Sequence, residues 1–296
     1  MSLTTPIPRP VAPARAKRAA RWRVLRTALQ RPSGLVGLIL AILMVMIGVL
    51  APIIAPASPE ATDFGALLQP PSFAHLFGTD ELGRDQLSRV MYGIGASVQI
   101  GLLSVLLAAL VGVPLGLIAG YYPKLDSPIA RFLDVMLAFP NLILAVGLAA
   151  ILGPSATNAM IALAVGGIPG FARVIRGEVF RLRGLDFVQS AVAAGAGDGR
   201  VLFRHILPNA SSALLVQITV SIPHAVLGEA ALSFLGLGIR PPAPSLGTML
   251  SNAQPFLQTG PWMAVFPGLT IILITLAFNL FGDAMRDALD PKGRRR

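Results

Sequence analysis

Glu229 lies within "HAVLGEAALSFLGLG" and is the one acidic side chain well inside a long apolar run of this chain. A carboxylate there is costly in hydrocarbon, so it faces a bundle interior or a water-filled path. Two roles fit it. It sits near the outer end of its helix and hydrogen-bonds a neighbouring helix or loop, or it touches a substrate directly; the first carries the greater weight. The histidines offer little chemistry. His75, His205 and His224 are scattered over two loops and an apolar run without metal-ligand spacing, so no metal site is expected. No Ser/His/Asp arrangement suggests hydrolysis. The run "GAGDG" (Gly195–Gly199) is Gly-rich but lacks the lysine and the preceding strand of a phosphate loop. No G-x-x-x-x-G-K-[ST] motif occurs, so the chain is not expected to hydrolyse ATP itself. The absence of cysteine excludes a disulfide framework, thiolate metal sites and a thiol nucleophile. Neither enzymatic activity nor a cofactor is expected.

The stretch from Asp186 to Asn209, "DFVQSAVAAGAGDGRVLFRHILPN", concentrates the remaining polar chemistry. Asp186 is suited to cap a helix of about two turns, and Gly195 to end it. Asp198 is suited to cap a second helix, which must stop near Leu207 because Pro208 disfavours helix before it. In that second helix Leu202, Phe203 and Ile206 form an apolar side, and Arg200 and Arg204 lie one turn apart on another. Ser190, Ala191, Ala193 and Ala194 give the first helix a small-residue surface that another protein can approach closely. The expectation is a helix–turn–helix elbow on the cytoplasmic face that docks a soluble partner.

The elements around this elbow read as membrane. Of 296 residues 54% are hydrophobic and 13% charged, about half the charge of an ordinary soluble domain. The run Gly34–Ala55 carries no charge and is long enough to span. It is too long for the core of a signal peptide, although a basic flank and "APA" (Ala55–Ala57) imitate one. Residues 60–89 form an acidic ordered loop or surface helix. Further spans are expected near Ala96–Gly120, 135–152, 157–175, Ala210–Phe234 and Trp262–Phe281. Pro and Gly recur within them, at Gly112, Pro114, Gly116 and again over Gly166–Gly170, where they permit kinks and close helix approach.

The net charge of +10 would suggest nucleic acid in a soluble protein, but its placement decides otherwise. With both termini cytoplasmic and six spans, 21 of the 24 Lys and Arg fall in segments assigned to the cytoplasm. Only Arg84, Arg89 and Arg240 lie outside. The basic balance is therefore topological, following the positive-inside bias, and nucleic acid is not expected as a partner. The expected organisation is a basic cytoplasmic arm over 1–32 and a first span with outer loop over 33–90. A five-span core over 91–285, with the cytoplasmic elbow at 186–208, and a basic tail over 286–296 complete it.

The elbow resembles the "EAA" loop of ATP-binding-cassette importer permeases, an Ala-rich start followed by a Gly and then Leu-Pro. The matching positions are Gln189-Ser190-Ala191, Gly195 and Leu207-Pro208. "FGTDELGRDQLSRVMYG" (Phe77–Gly93), "GVPLGLIAGYY" (Gly112–Tyr122), "LAFPNLILA" (Leu137–Ala145), "SFLGLGIRPPAPSLGTML" (Ser233–Leu250) and "FNLFGDAMRDALDP" (Phe278–Pro291) are similar to the dipeptide/oligopeptide/nickel branch. They match its second permease in particular, and the resemblance covers roughly residues 30–292. Two positions depart from the pattern: the usual Glu of the loop is Gln189, and the next Ala is Ser190.

The resemblance implies an all-α polytopic bacterial inner-membrane protein, with a MetI-like permease core preceded by one extra span. It further implies pairing with a second homologous permease, two cytosolic ATPase subunits on the elbow, and an extracytoplasmic substrate-binding protein. Gln189, Ser190, Ala191, Gly195, Asp198, Arg200, Leu207 and Pro208 would form the ATPase-coupling loop. The cargo would be a peptide or a related small solute such as a nickel chelate or a glutathione-like compound. The rival readings are an ion-coupled secondary transporter and a non-transporting membrane scaffold or sensor.

Overall fold

A computed structural model describes residues 27–289, and among these the regular elements are all helical. The helices are α1 (Pro32–Ile54), α2 (Gln86–Tyr121), α3 (Pro123–Leu137), α4 (Asn141–Leu152), α5 (Ala156–Arg183) and α6 (Asp186–Ala193). They continue with α7 (Asp198–Phe234), α8 (Leu246–Ala253) and α9 (Trp262–Leu289). Of these α1, α2, α5, α7 and α9 are each long and apolar enough to cross a membrane, and α3 with α4 adds a sixth if the bent pair is one span. The expected basic arm and tail lie outside the described residues except at their inner ends, where Arg31 pairs with Asp287.

Local sequence sets the helix boundaries. Pro32 opens α1, where its missing N–H and fixed φ do no harm. The Asp85 carboxylate caps α2 by accepting the Ser88 N–H at 2.8 Å, and Ser155 caps α5 by accepting the Asn158 N–H at 3.0 Å. The expected span over 135–152 is corrected. The chain bends by 85° between α3 and α4, at the break that holds Phe139-Pro140. Pro140 donates no N–H to a continuing helix, and it disfavours helical backbone at the residue before it.

The bundle is built on α2, which packs along α5 and also against α1 and α7; α9 closes it against α1 and α7. Gly112, Gly116 and Gly120 form one stripe of α2 against α5. A Cβ on Gly116 would sit 2.4 Å from the Ala172 carbonyl oxygen, and one on Gly112 would sit 2.7 Å from that of Ile168. The backbones are therefore in direct contact there, as small residues permit in apolar surroundings, where water drives no association between helices. Outward faces stay apolar: Leu35, Ile39 and Ile42 of α1 and Ile272 and Leu276 of α9 are exposed.

The acidic loop after α1 is ordered without being helical. Asp80 accepts from Arg84 Nε at 2.6 Å, and Arg89 donates to the Pro59 carbonyl at 2.7 Å. Trp262 Nε1 donates to the Thr79 carbonyl at 3.0 Å, which ties the loop to the start of α9. Arg84 and Arg89 are almost wholly buried. A sequence count of exposed charge does not reveal this, because buried guanidiniums persist only where carboxylates and carbonyls surround them. The Pro- and Gly-rich segment before α9 also holds α8, a short helix unexpected from its composition, tucked between α7 and α9.

Candidate functional site

The elbow consists of α6, the turn Ala194–Gly197 and the first turns of α7. At 37 residues α7 is about 55 Å long at 1.5 Å per residue, against roughly 30 Å of hydrocarbon. Its charged beginning, Asp198 to Arg204, therefore extends beyond the apolar layer while remaining part of the same rod. The expected helix end near Leu207 is corrected on this point. Val201–Ile206 form a widened turn in which the Leu207 N–H donates to the Leu202 carbonyl, five residues back. In a regular helix the Pro208 ring would press on the Arg204 carbonyl, and the widened turn relieves that clash without ending the helix.

Gly195 is the pivot. Its φ is +80°, in the left-handed region, and its N–H donates to the Val192 carbonyl at 2.9 Å. The Ala196 N–H reaches back to the Ala191 carbonyl at 3.0 Å. This pair of bonds closes α6 in a Schellman turn. The expected capping roles of Asp186 and Asp198 are corrected. Each occupies the first helical position, after Leu185 and Gly197, and neither side chain caps. Asp198 instead accepts the Tyr121 hydroxyl at 3.0 Å and the Tyr122 hydroxyl at 2.9 Å. The Tyr122 hydroxyl is pushed above its ordinary range, chiefly by this hydrogen bond to a carboxylate.

One face of the elbow is anchored and the other is open. Val188, Val201, Leu202 and Ile206 are buried against Leu117 of α2 and Ile175, Val179 and Leu182 of α5. Phe203, expected on one apolar side with Leu202 and Ile206, parts from them and is 62% exposed. Gln189, Ser190, Ala193, Ala194, Gly195 and Arg200 face outward, with Ala191 half-buried and Leu207 and Pro208 partly so. Phe187, Val192 and Phe203 add apolar area to that exposed face. Gln189 Nε2 donates to the Gly184 carbonyl at 3.4 Å, so its amide folds back on the turn that joins α5 to α6.

Two further links tie this end of the bundle together. Arg183 donates to the Gly120 carbonyl at 3.1 Å, and Arg176 holds Asp126 of α3 through two hydrogen bonds, at 2.5 and 2.9 Å. Tyr121, Tyr122 and Arg183 escaped the sequence reading. The tyrosines stand in the segment Gly112–Tyr122 quoted above, but a polar aromatic pair at the charge boundary of a span is common in membrane proteins without any such link.

Glu229 lies in the other half of α7 and is fully buried. Three hydroxyls donate to it: Ser97 of α2 at 2.5 Å, Ser233 one turn on at 2.7 Å, and Ser245 just before α8 at 3.1 Å. The carboxylate thus binds α2, α7 and the α8 segment together, and it is far along α7 from the elbow. No group of three or more His, Asp or Glu gathers as metal ligands would among the described residues.

Residues 112–295 match the family described as binding-protein-dependent transport system inner membrane component. Residues 21–71 match the N-terminal transmembrane domain of oligopeptide transport permease C. The dipeptide transport system permease protein DppC of Haemophilus influenzae is 47% identical over 270 residues, 89% of this chain and 92% of that protein. DppC of Alkalihalophilus pseudofirmus is 45% identical, covering 92% of this chain and 90% of its own. The glutathione transport system permease protein GsiD of Escherichia coli is 42% identical over 92% of this chain and 89% of that one. An inward-facing structure of the MetNI methionine ABC transporter shares the fold, with a TM-score of 0.56 at 19% identity. It covers 68% of this chain and 96% of that chain. Kinship along nearly the whole chain agrees with the shared fold: this chain belongs to the binding-protein-dependent transport inner membrane component family, as a multi-pass, non-catalytic permease subunit of an ABC importer in the bacterial inner membrane.

Proposed function

We propose that this subunit forms half of an import pathway for peptides or a related small solute. It pairs with a second homologous permease, while two cytosolic ATPases dock on its elbow and an extracytoplasmic binding protein delivers the cargo. In this reading both termini are cytoplasmic and the bent pair α3–α4 counts as one of six spans, as the distribution of Lys and Arg favours. Residues 33–90 then form the first span and outer loop, 91–285 the core, and 186–208 the coupling segment.

One observation carries the proposal. The elbow's open face is held on a helix that runs without a break from Asp198 into the membrane. A push on α6 therefore moves α7 as a rigid body, which is how ATPase closure would switch the pathway between inward- and outward-facing states. Gln189, Ser190, Ala191, Gly195, Arg200, Leu207 and Pro208 form or support the docking surface, and Asp198 clasps it to the end of α2. Gln189 offers no charge, so its contact with an ATPase is an uncharged one. Family membership in binding-protein-dependent transport favours this reading over an ion-coupled carrier or a passive scaffold.

The test is reconstitution of this chain with its genomic-neighbour permease, ATPases and binding protein in proteoliposomes. ATP-dependent uptake of alanyl-alanine or glutathione is expected. A complex that forms without this chain, or one that takes up neither compound, refutes the reading.

A further inference from the structure

Midway along the bundle, α2, α5 and α7 leave a cavity of about 300 Å³, open on one side. Gln217, Ser221 and His224 line it from one face of α7, at helical spacing of four and three. Asn141 enters from the start of α4, and Gly166 and Gly170 border it from α5. No Asp, Glu, Lys or Arg lines it, and Glu229 is sealed off elsewhere. His224 and Asn141 are exposed. An exposed amide and imidazole at this depth do not face lipid, where they would find few partners, so the cavity marks the side turned to water or to the second permease.

The polar atoms are already arranged. His224 Nδ1 lies 2.9 Å from the Val220 carbonyl, which only accepts, so Nδ1 carries hydrogen and Nε2 is left for the cavity. Gln217 Nε2 donates to Ser221 Oγ at 3.2 Å, which leaves the Gln217 carbonyl oxygen free to accept. The α5 glycines give these amides their room. A Cβ on Gly166 would lie 2.0 Å from Asn141 Oδ1, and one on Gly170 would lie 3.2 Å from Gln217 Nε2.

Building on the transport reading above, we infer that Asn141, Gln217, Ser221 and His224 are this subunit's contact with cargo in transit. They present amide, hydroxyl and imidazole donors and acceptors that match the N–H and C=O of an amide bond, with no carboxylate, ammonium or guanidinium among them to select side-chain charge. A pathway wall without fixed charge holds a peptide through its backbone and releases basic, acidic and neutral residues alike.

The chain has no cysteine, so a single introduced thiol is unique within it. In the assembled complex, Gln217→Cys and His224→Cys are treated with a charged, membrane-impermeant methanethiosulfonate reagent. Ile272→Cys, on an apolar face and 59% exposed, serves as reference. Labelling at 217 and 224 is expected at least about tenfold faster than at 272, and slower with saturating alanyl-alanine. Equal rates at the three positions overturn the inference, whether or not peptide is imported. In the uptake assay, Gln217→Leu with His224→Leu is expected to lower alanyl-alanine uptake at low concentration about tenfold. The natural chain is expected to take up alanyl-lysine and alanyl-glutamate at similar rates, and Gln217→Glu is expected to separate them. Uptake unchanged in both variants also overturns it. Absence of peptide uptake by the natural complex refutes the transport reading instead, while the labelling still reports on the cavity.

Discussion

Replacing Gly195 by Val isolates the conformational demand of the elbow. A Cβ at this position meets nothing within 4 Å, so no steric clash with neighbours contributes. The whole cost is backbone strain. At φ +80° an L-residue costs about 1–2 kcal/mol, and a β-branched one lies at the upper end. The turn escapes this strain only by giving up the Gly195–Val192 and Ala196–Ala191 bonds, each worth about 1 kcal/mol. Either way the ratio of ordered to misdirected elbow falls roughly 5- to 30-fold. The spans and their packing are untouched, so the variant is expected to insert and assemble. In reconstituted complex it should show a fall in peptide imported per ATP hydrolysed, or a loss of bound ATPase. Gly197→Val is the control, because Gly197 has φ −66° and its Cβ also meets nothing. It should behave like the natural chain. Gly195→Ala should fall between the two, and Arg200→Ala, at an exposed position, should do less than Gly195→Val. Indistinguishable coupling in Gly195→Val and Gly197→Val would falsify the argument.

Other outcomes follow from the same geometry. Glu229→Leu strands the hydroxyls of Ser97, Ser233 and Ser245 in the interior and should destabilise the subunit on the order of 1–3 kcal/mol. Glu229→Gln keeps an acceptor and should lose less; equal melting temperatures for the two in detergent contradict a role in interface satisfaction. Gly116→Leu drives a side chain into the Ala172 carbonyl and is expected to cost about 1–3 kcal/mol or more and to lower the yield of folded protein. A normal yield and melting temperature would show that α2 and α5 separate freely. Reporter fusions after residues within 60–85, 154–157 and 242–258 should report the outside, and those at 125–130, 185–200 and 290 the inside. A cytoplasmic signal at 242–258 overturns the six-span arrangement.

The five long apolar helices, the elbow and the pivot were legible in the amino-acid sequence because each rests on short-range physics, whereas the expected span over 135–152 is a pair of helices bent by 85°. Apolar runs too long for a soluble core must lie in lipid, and Gly195 between two helix-forming segments meets a local need for positive φ. Sequence also placed Glu229 against protein or water, since the cost of a lipid-facing carboxylate does not depend on the fold. What it was against, only the tertiary structure decided. The three serines that bind Glu229 come from separate elements, and many other serines in the chain look the same locally. Local rules failed where packing outweighed them. Pro208 reads as a stop, yet neighbours on α2 and α5 bury Val201, Leu202 and Ile206, and the helix continues through a widened turn. Asp198 reads as a cap, yet two tyrosine hydroxyls at the end of α2 supply it with better donors. The cavity of Asn141, Gln217 and His224 was invisible for the same reason. A sequence states which side chains are polar, but the crossing of α2, α5 and α7 and the bend at Pro140 determine which of them share one space.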